Sequence, residues 1–122
     1  MTLARQALGR DGEDTACRVL EARGYRLLAR RYRTRLGEID VVARDGPYVV
    51  FVEVKARRDR RFGDPAAAVT VQKQRRLALM AADYLARHRL GRAPARFDVV
   101  AIVFGEGRPH VAVIVDAFRP GW

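Results

Sequence analysis

The sequence predicts a single α/β domain over residues 1–122, with a mixed β-sheet flanked by helices in the order αβββαββ. A chain of 122 residues suits one compact domain. Apolar residues recur at helical spacing in two segments and at strand spacing in five. The segment 49–52 is apolar at every position, which is typical of a central strand covered on both faces. These three observations favour a sheet with helices packed against it.

The first predicted helix runs from about Asp11 to Arg23. Asp11 can accept hydrogen bonds from the first amides of a helix, and Gly24 suits the left-handed residue that follows a helix end. The apolar pattern also allows a start near Thr2, but glycines at 9 and 12 disfavour helix in that segment.

Glu13 lies on the face of this helix that is predicted to turn toward the core. It shares that face, at spacings of three, four and seven residues, with Ala16, Cys17 and Leu20. We therefore expect the carboxylate either to sit at the rim of the core or to have a function.

Five strands and a second helix are predicted after the first helix. The hydrophobic patterns place the strands at 25–33, 38–44, 48–55, 96–104 and 110–118, and the helix at 70–89. Asp45, Gly46 and Pro47 separate the second and third strands, so these two strands are expected to form a hairpin. Residues 56–65 form a basic loop.

The register of this hairpin brings two carboxylates together. Turns of two and of four residues centred on the Gly-Pro pair give the same register, which sets Asp40 opposite Glu53 and Glu38 opposite Lys55. Because strand side chains alternate between faces, these four share one face of the sheet. The other face then carries the apolar pairs Ile39–Val54, Val41–Val52 and Ala43–Val50.

Like charges directly opposite each other on neighbouring strands are destabilising and need compensation. A divalent cation would supply it, because Mg²⁺ takes one or two carboxylates and fills its other positions with water and phosphate. Asp40 and Glu53 are the predicted metal ligands, and the backbone carbonyl of Val54 lies within reach. Lys55 points at the same spot, where an ammonium can stabilise charge on a phosphate or help deprotonate water.

A different interpretation of the same pattern is a salt-bridge ladder on the surface, with Glu38 and Lys55 as a cross-strand pair. Glu-x-Lys alone is common on amphipathic strands and favours that interpretation. The acid opposite Glu53, the buried strand, the core-facing Glu13 and the basic chain together favour a site.

Composition narrows the function classes. A formal charge of +10 favours a polyanionic partner over a neutral one, although an Arg-rich solvated surface gives the same number. The chain contains no serine, which excludes a serine nucleophile, and it has no phosphate-binding P-loop motif.

The lone Cys17 fits a reducing compartment, and the isolated His88 and His110 lack zinc-ligand spacing. Neither a signal peptide nor a membrane-spanning run is found, which predicts a cytoplasmic protein without membrane contact.

Basic residues leave the predicted catalytic strand directly into the loop. Arginines there could contact phosphates beside the scissile bond, and an aromatic ring could stack on an exposed base. The residues concerned are Arg57, Arg58, Arg60, Arg61 and Phe62. Gln72 and Lys73 begin the second helix, whose first amides also attract phosphate. The alternatives are a solvated loop and ordinary polar surface.

The residues GEID at 37–40 and FVEVK at 51–55 resemble the motif of the restriction-endonuclease-like PD-(D/E)xK superfamily. More narrowly, the whole chain resembles the small bacterial YraN family of predicted nucleases. The further matching segments are Gly12-Glu13, Gly24-Tyr25, Phe62-Gly63-Asp64-Pro65, Lys73, Tyr84-Leu85 and the run from Arg96 to Val100. The sequence departs from the expected family pattern at Arg31, where we expect Asn in most members and no contact with the metal-binding acids.

The resemblance implies a restriction-endonuclease-like fold and gives Asp40, Glu53 and Lys55 the catalytic motif positions. Glu13 is similar to a helical acid that assists metal binding in archaeal Holliday-junction resolvases, so it joins the expected catalytic and metal-binding residues. The expected cofactor is Mg²⁺ or Mn²⁺, with no small-molecule cofactor. Because junction-cutting relatives pair two sites across a symmetric substrate, a homodimer is an open expectation.

Two functions from different classes follow from the sequence. The first is a metal-dependent endonuclease that hydrolyses phosphodiester bonds in DNA, including branched or repair and recombination intermediates. The second is a non-catalytic nucleic-acid-binding module that keeps the nuclease fold, and a subunit of a larger repair or uptake machine is compatible with either. Asp98, in an apolar strand, is expected to be a buried structural acid paired with an arginine.

Overall fold

The computed structural model describes residues 3–59 and 66–121 and shows a mixed α/β fold. The predicted order αβββαββ is confirmed, with a short 3₁₀ turn at Ala66–Ala68 before the second helix. The elements are α1 (Leu3–Ala22), β1 (Arg26–Thr34), β2 (Gly37–Asp45), β3 (Tyr48–Arg57), α2 (Val71–Arg87), β4 (Ala95–Val103) and β5 (His110–Ile114). No helix among these residues is long and apolar enough to cross a membrane.

The five strands form one mixed sheet in the spatial order β1-β2-β3-β4-β5. Strands β3 and β4 are parallel, and every other neighbouring pair is antiparallel. A parallel pair needs a long crossover, which α2 provides between β3 and β4. The apolar run at 49–52 therefore lies in the central strand, as predicted.

A helix covers each face of the sheet. Side chains of α1 pack on the face that includes Val50, Val52 and Val100, whereas α2 packs on the face that includes Phe51, Phe97 and Val99. Successive residues of β3 thus enter two different cores, which explains why that strand is apolar on both faces.

Two predicted boundaries differ from the structure. Helix α1 includes Leu3, which agrees with the alternative start near Thr2, so Asp11 lies inside the helix and caps nothing. Strand β5 ends at Ile114, short of the predicted residue 118, because Asp116 adopts a left-handed conformation with φ of 54°. The amide of Asp116 then donates a 2.9 Å hydrogen bond to the Asp98 carboxylate.

The buried Asp98 has the structural role that the sequence predicted. It is fully buried and accepts hydrogen bonds from Arg96 at 2.9 Å and from the Tyr25 hydroxyl at 2.8 Å. Burial and the neighbouring Asp98 raise the pKa of Tyr25 to about 12, so the hydroxyl stays a donor. This network lies at the start of β4 and ties that strand to the end of α1.

Gly12, the second glycine of α1, is required because α1 approaches β3 closely at this position. A Cβ atom built on Gly12 would lie 2.6 Å from the Cβ atom of Ala56 in β3, whereas one built on Gly9 would meet nothing within 4 Å. The contact explains why a helix-weakening residue occupies the middle of α1, since packing against β3 overrides helix propensity there.

We expect Gly12→Ala to destabilise the fold by about 1–3 kcal/mol, because the added methyl group overpacks the α1–β3 interface. The free energy of unfolding in urea is the measurement. Gly9→Ala is the matched control and should be neutral or stabilising by about 0.5–1 kcal/mol, because only helix propensity changes. Adding Ala56→Gly to Gly12→Ala should recover part of the loss. Equal effects of the two alanine substitutions would contradict the packing argument.

Candidate active site

The candidate site lies where β2 and β3 separate. The predicted hairpin register is confirmed over five pairs, from Asp45–Tyr48 to Val41–Val52. Beyond Val41 the ladder stops, and the carboxylate of Asp40 accepts a 2.8 Å hydrogen bond from the backbone amide of Val54. The Asp40 side chain thus accepts the hydrogen bond of the Val54 amide, which would otherwise pair with the backbone of β2.

The faces of β1 and β2 switch at this point, which corrects one predicted pairing. Ile39 packs with the α2 cluster, although strict alternation placed it with Val41 on the α1 side. Its partner Tyr32 packs on the α2 side too. In β1, Arg31 lies between Arg30 and Tyr32 and has a φ of 52°. In β2, Asp40 lies between Ile39 and Val41, so both strands change face at the same point.

The structure brings Asp40 and Glu53 together, as the register predicted, but not Glu38 and Lys55. The carboxyl groups of the first pair, half-buried at Asp40 and buried at Glu53, share a hydrogen bond. Glu38 instead forms a 2.9 Å ion pair with Arg33 of the neighbouring strand β1. The expected Glu38–Lys55 pairing is wrong because the β2–β3 ladder ends before it reaches these residues.

Glu53 is 7% exposed and is held by a lysine from α2. The Lys73 ammonium lies 2.7 Å from Glu53 Oε2. The contact is an ion pair, and no hydrogen bond to the buried Oε2 is found among the residues that the structure describes. The Thr70 hydroxyl caps α2 by accepting a 3.1 Å hydrogen bond from the Lys73 amide, which fixes the turn that carries Lys73.

The pKa values of the two carboxyl groups shift in opposite directions. Burial, reinforced by the hydrogen bond and charge of Glu53, raises the pKa of Asp40 to about 8. Burial alone would raise the pKa of Glu53, but the hydrogen bond to Asp40 and the Lys73 ammonium outweigh it and lower that pKa. The proton therefore resides on Asp40, and Glu53 remains ionised.

Lys55 is half-buried beside this pair. Burial lowers the pKa of Lys55, and the nearby Lys73 ammonium acts in the same direction against the attraction of Glu53. The Lys55 ammonium therefore loses its proton more readily than a solvated lysine does. That property suits a group that exchanges a proton with water or a leaving group.

Glu13 faces the same region from α1, but an arginine holds it. Its side chain is 11% exposed, and Oε2 lies 2.9 Å from Arg31 Nε and 2.8 Å from Arg31 Nη2. The expectation that Arg31 avoids the candidate metal-binding acids is therefore wrong. Sequence reasoning missed Arg31 as a member of the site, because its position depends on a left-handed backbone that strand periodicity does not predict.

Glu13, Glu38 and Asp40, but not the buried Glu53, line a cleft of about 1130 Å³. Its walls include residues from α1 and from the first three strands, among them Glu13, Arg31, Asp40, Val54, Lys55, Arg57 and Arg58. Of the other predicted nucleic-acid contacts, Gln72 is exposed on the first turn of α2. Lys73 is partly exposed and forms an ion pair with Glu53. Arg60, Arg61 and Phe62 lie outside the described residues.

The donor set suits a hard divalent cation held largely by water and substrate. Across residues 3–59 and 66–121, no three His, Cys, Asp or Glu side chains are grouped to hold a metal ion. Two adjoining carboxyl groups are present, however, and Glu53 Oε2 is a buried oxygen without a hydrogen-bond donor. Mg²⁺ typically takes one or two carboxylates, so Asp40 and Glu53 fit it, with the Val54 carbonyl as a third oxygen.

Comparison with known proteins assigns the chain to a family. A profile described as uncharacterised protein family UPF0102 matches residues 12–102. The chain belongs to this YraN-like family. A UPF0102 protein of Symbiobacterium thermophilum is 52% identical over 113 residues, covering 92% of this chain and 96% of the relative. Another, of Geobacter metallireducens, is 46% identical over 119 residues, covering 98% of both chains.

We expect Asp40→Asn to stabilise the metal-free protein by an amount that grows with pH. The folded state keeps a proton on Asp40 up to about pH 8, whereas the unfolded chain releases it near 3.8, so rising pH destabilises the wild-type fold between these values. The gain should be small near pH 4 and largest above pH 8, in urea unfolding with EDTA.

Asp14→Asn is the control for this measurement. Its hydrogen bond with Arg30 lowers the pKa of Asp14, so that carboxylate contributes to stability above its unfolded pKa, and its removal brings no gain that rises with pH. A gain for Asp40→Asn that is the same at every pH would show that the proton is not held in the folded state.

Proposed function

We propose that this protein is a metal-dependent nuclease of the PD-(D/E)xK type that hydrolyses phosphodiester bonds in DNA. The observation that carries the proposal is the contact of Asp40 with the buried Glu53, with Asp40 and the half-buried Lys55 lining a cleft that has arginines on its walls. Buried acids beside cations in an open cleft are an arrangement that phosphodiester chemistry uses. The order of strands and helices supports a restriction-endonuclease-like fold.

The acid pair supports metal binding by its charge balance. Without a metal, one proton on Asp40 and the Lys73 ammonium neutralise the two carboxylates. A divalent cation carries enough charge to replace both. When bound, Mg²⁺ or Mn²⁺ would polarise the phosphate and lower the pKa of water. Asp40 and Glu53 would hold it, with help from the Val54 carbonyl.

Lys55 is the proposed partner of the reacting groups. Its lowered pKa allows the ammonium to donate a hydrogen bond to a phosphate oxygen or, once deprotonated, to accept a proton from the attacking water. Arg57 and Arg58 continue the cleft wall beyond Lys55 and would contact the phosphates on either side. A formal charge of +10 supports a polyanionic substrate.

A non-catalytic nucleic-acid-binding module is the second candidate, and one observation favours it. The 2.7 Å contact of Lys73 with Glu53 and the proton on Asp40 neutralise the acids without any metal. A protein that only binds nucleic acid could therefore keep these residues as a structural ion pair.

Cleavage assays separate the two candidates. Labelled duplex, single-stranded and four-way-junction DNA, with RNA counterparts, would be incubated with the protein and Mg²⁺ or Mn²⁺. We expect metal-dependent cleavage, and a loss of about 10²–10⁴-fold in rate for Asp40→Ala and Lys55→Ala. Glu106→Ala, an exposed acid in the β4–β5 turn, is the control and should cut like wild type. Wild-type rates in both site variants would show that the site is wrongly assigned.

Calorimetry tests the metal site without requiring turnover. Mg²⁺ or Mn²⁺ should bind the wild-type protein, and Glu53→Gln should abolish the measured heat, because one of two charged ligands is lost. DNA binding without any metal site would instead identify the non-catalytic module. A homodimer and a cytoplasmic location remain predictions, for which light scattering and cell fractionation are the measurements.

A further inference from the structure

Two consecutive arginines of β1 make similar ion pairs with different surroundings. Arg30 contacts Asp14 at 2.7 Å, and both side chains are at least 40% exposed. Arg31 contacts Glu13 at 2.8 Å, and that carboxylate is almost buried. Arg31 and Glu13 line the cleft that contains Asp40, whereas Arg30 and Asp14 are not among its lining residues.

The backbone of β1 is distorted where Arg31 enters the cleft. Successive side chains of a strand should point to opposite faces, yet both arginines reach acids on α1. The left-handed φ of 52° at Arg31 permits this. Such a conformation is unfavourable for a residue with a long side chain, and it persists where the surrounding structure imposes it, often at functional sites.

Arg31 is held by one edge of its guanidinium and is open at the other. Its Nε and one terminal nitrogen contact Glu13, and the side chain is 45% exposed and lines the cleft. A guanidinium has five N–H donors, so donors remain for a further acceptor. Arg31 lies between the pairs Arg30–Val41 and Tyr32–Ile39 of β1 and β2, at the level of Asp40.

We propose that Arg31 is a phosphate-binding residue, which contacts a non-bridging oxygen of the phosphodiester at the Asp40–Lys55 end of the cleft. Glu13 is then a positioning residue, whose buried carboxylate orients the guanidinium. This assignment rests on the proposed function, and it replaces the expected role of Glu13 as a metal ligand with a role that acts through Arg31. The ligand class is the phosphodiester backbone of a nucleic acid.

The first experiment measures DNA binding in EDTA, where no cleavage occurs. Fluorescence anisotropy with a labelled DNA duplex would be recorded over a range of salt concentrations for wild type, Arg31→Asn and Arg30→Asn. Asn tolerates the left-handed conformation at residue 31, so the fold should persist. We expect about tenfold weaker binding for Arg31→Asn and a salt-dependence slope smaller by about 0.9, the value for one lost phosphate contact.

Arg30→Asn removes the same charge from the neighbouring position and should leave the slope unchanged. An equal change in both variants would mean that only overall charge matters, and an unchanged slope for Arg31→Asn would overturn the proposal. A merely structural role for Arg31 would alter unfolding without altering the slope.

The second experiment decides the role of Glu13. Mn²⁺ binding would be measured by calorimetry and electron paramagnetic resonance for wild type, Glu13→Gln and Asp14→Asn. We expect the same stoichiometry and affinity in all three. Loss of an ion, or at least tenfold weaker binding, in Glu13→Gln alone would make Glu13 a metal ligand and would overturn its positioning role.

The two proposals fail in different ways. Because the anisotropy experiment needs neither metal nor turnover, it decides on Arg31 even when the protein cuts no substrate. DNA binding through Arg31 without cleavage would refute the nuclease and leave the phosphate contact standing. Cleavage that depends on Asp40 and Lys55, with Arg31→Asn binding DNA like wild type, would support the nuclease and refute the phosphate contact of Arg31.

Discussion

The hydrogen bond from the Val54 amide to the Asp40 carboxylate is the contact on which the arrangement of the site depends. It takes the place of a backbone hydrogen bond at the point where the β2–β3 pairing ends. The two strands can therefore separate without leaving the Val54 amide unpaired. The gap lets side chains from α1, β1 and α2 converge on the end of the sheet. The same contact holds Asp40 against Glu53, and burial together with this neighbour raises the pKa of Asp40.

Each acid of the site is neutralised by a different group in the absence of a metal. A proton neutralises Asp40, the Lys73 ammonium neutralises Glu53, and the Arg31 guanidinium neutralises Glu13. Burying an unpaired carboxylate is costly, so the fold needs these partners to be stable. In the proposed metal-bound state a divalent cation would replace the proton and the ammonium, whereas Arg31 contacts Glu13 through two nitrogens and stays charged at any physiological pH.

Local rules predicted much of the fold and the central acid pair. The register followed from the even length of the turn, and the inward face of Glu13 followed from helical spacing. The switch of faces at Arg31 and Asp40 was not predictable, because it depends on a left-handed residue that departs from strand periodicity. Nor was the contact of Lys73 with Glu53, since it is set by how α2 crosses the sheet and not by any spacing in the sequence.

The choice between lysine and arginine within the site has a physical reason. Of the 24 basic Lys and Arg residues, only Lys55 and Lys73 are lysines, and both lie beside the buried acid pair. A guanidinium keeps its charge, whereas an ammonium is compact and can lose its proton when burial lowers its pKa. In the proposed nuclease, ammonium groups at these two positions would allow proton exchange and replacement by a metal ion. Arginine at 31, fixed by Glu13, fits a permanent contact with phosphate.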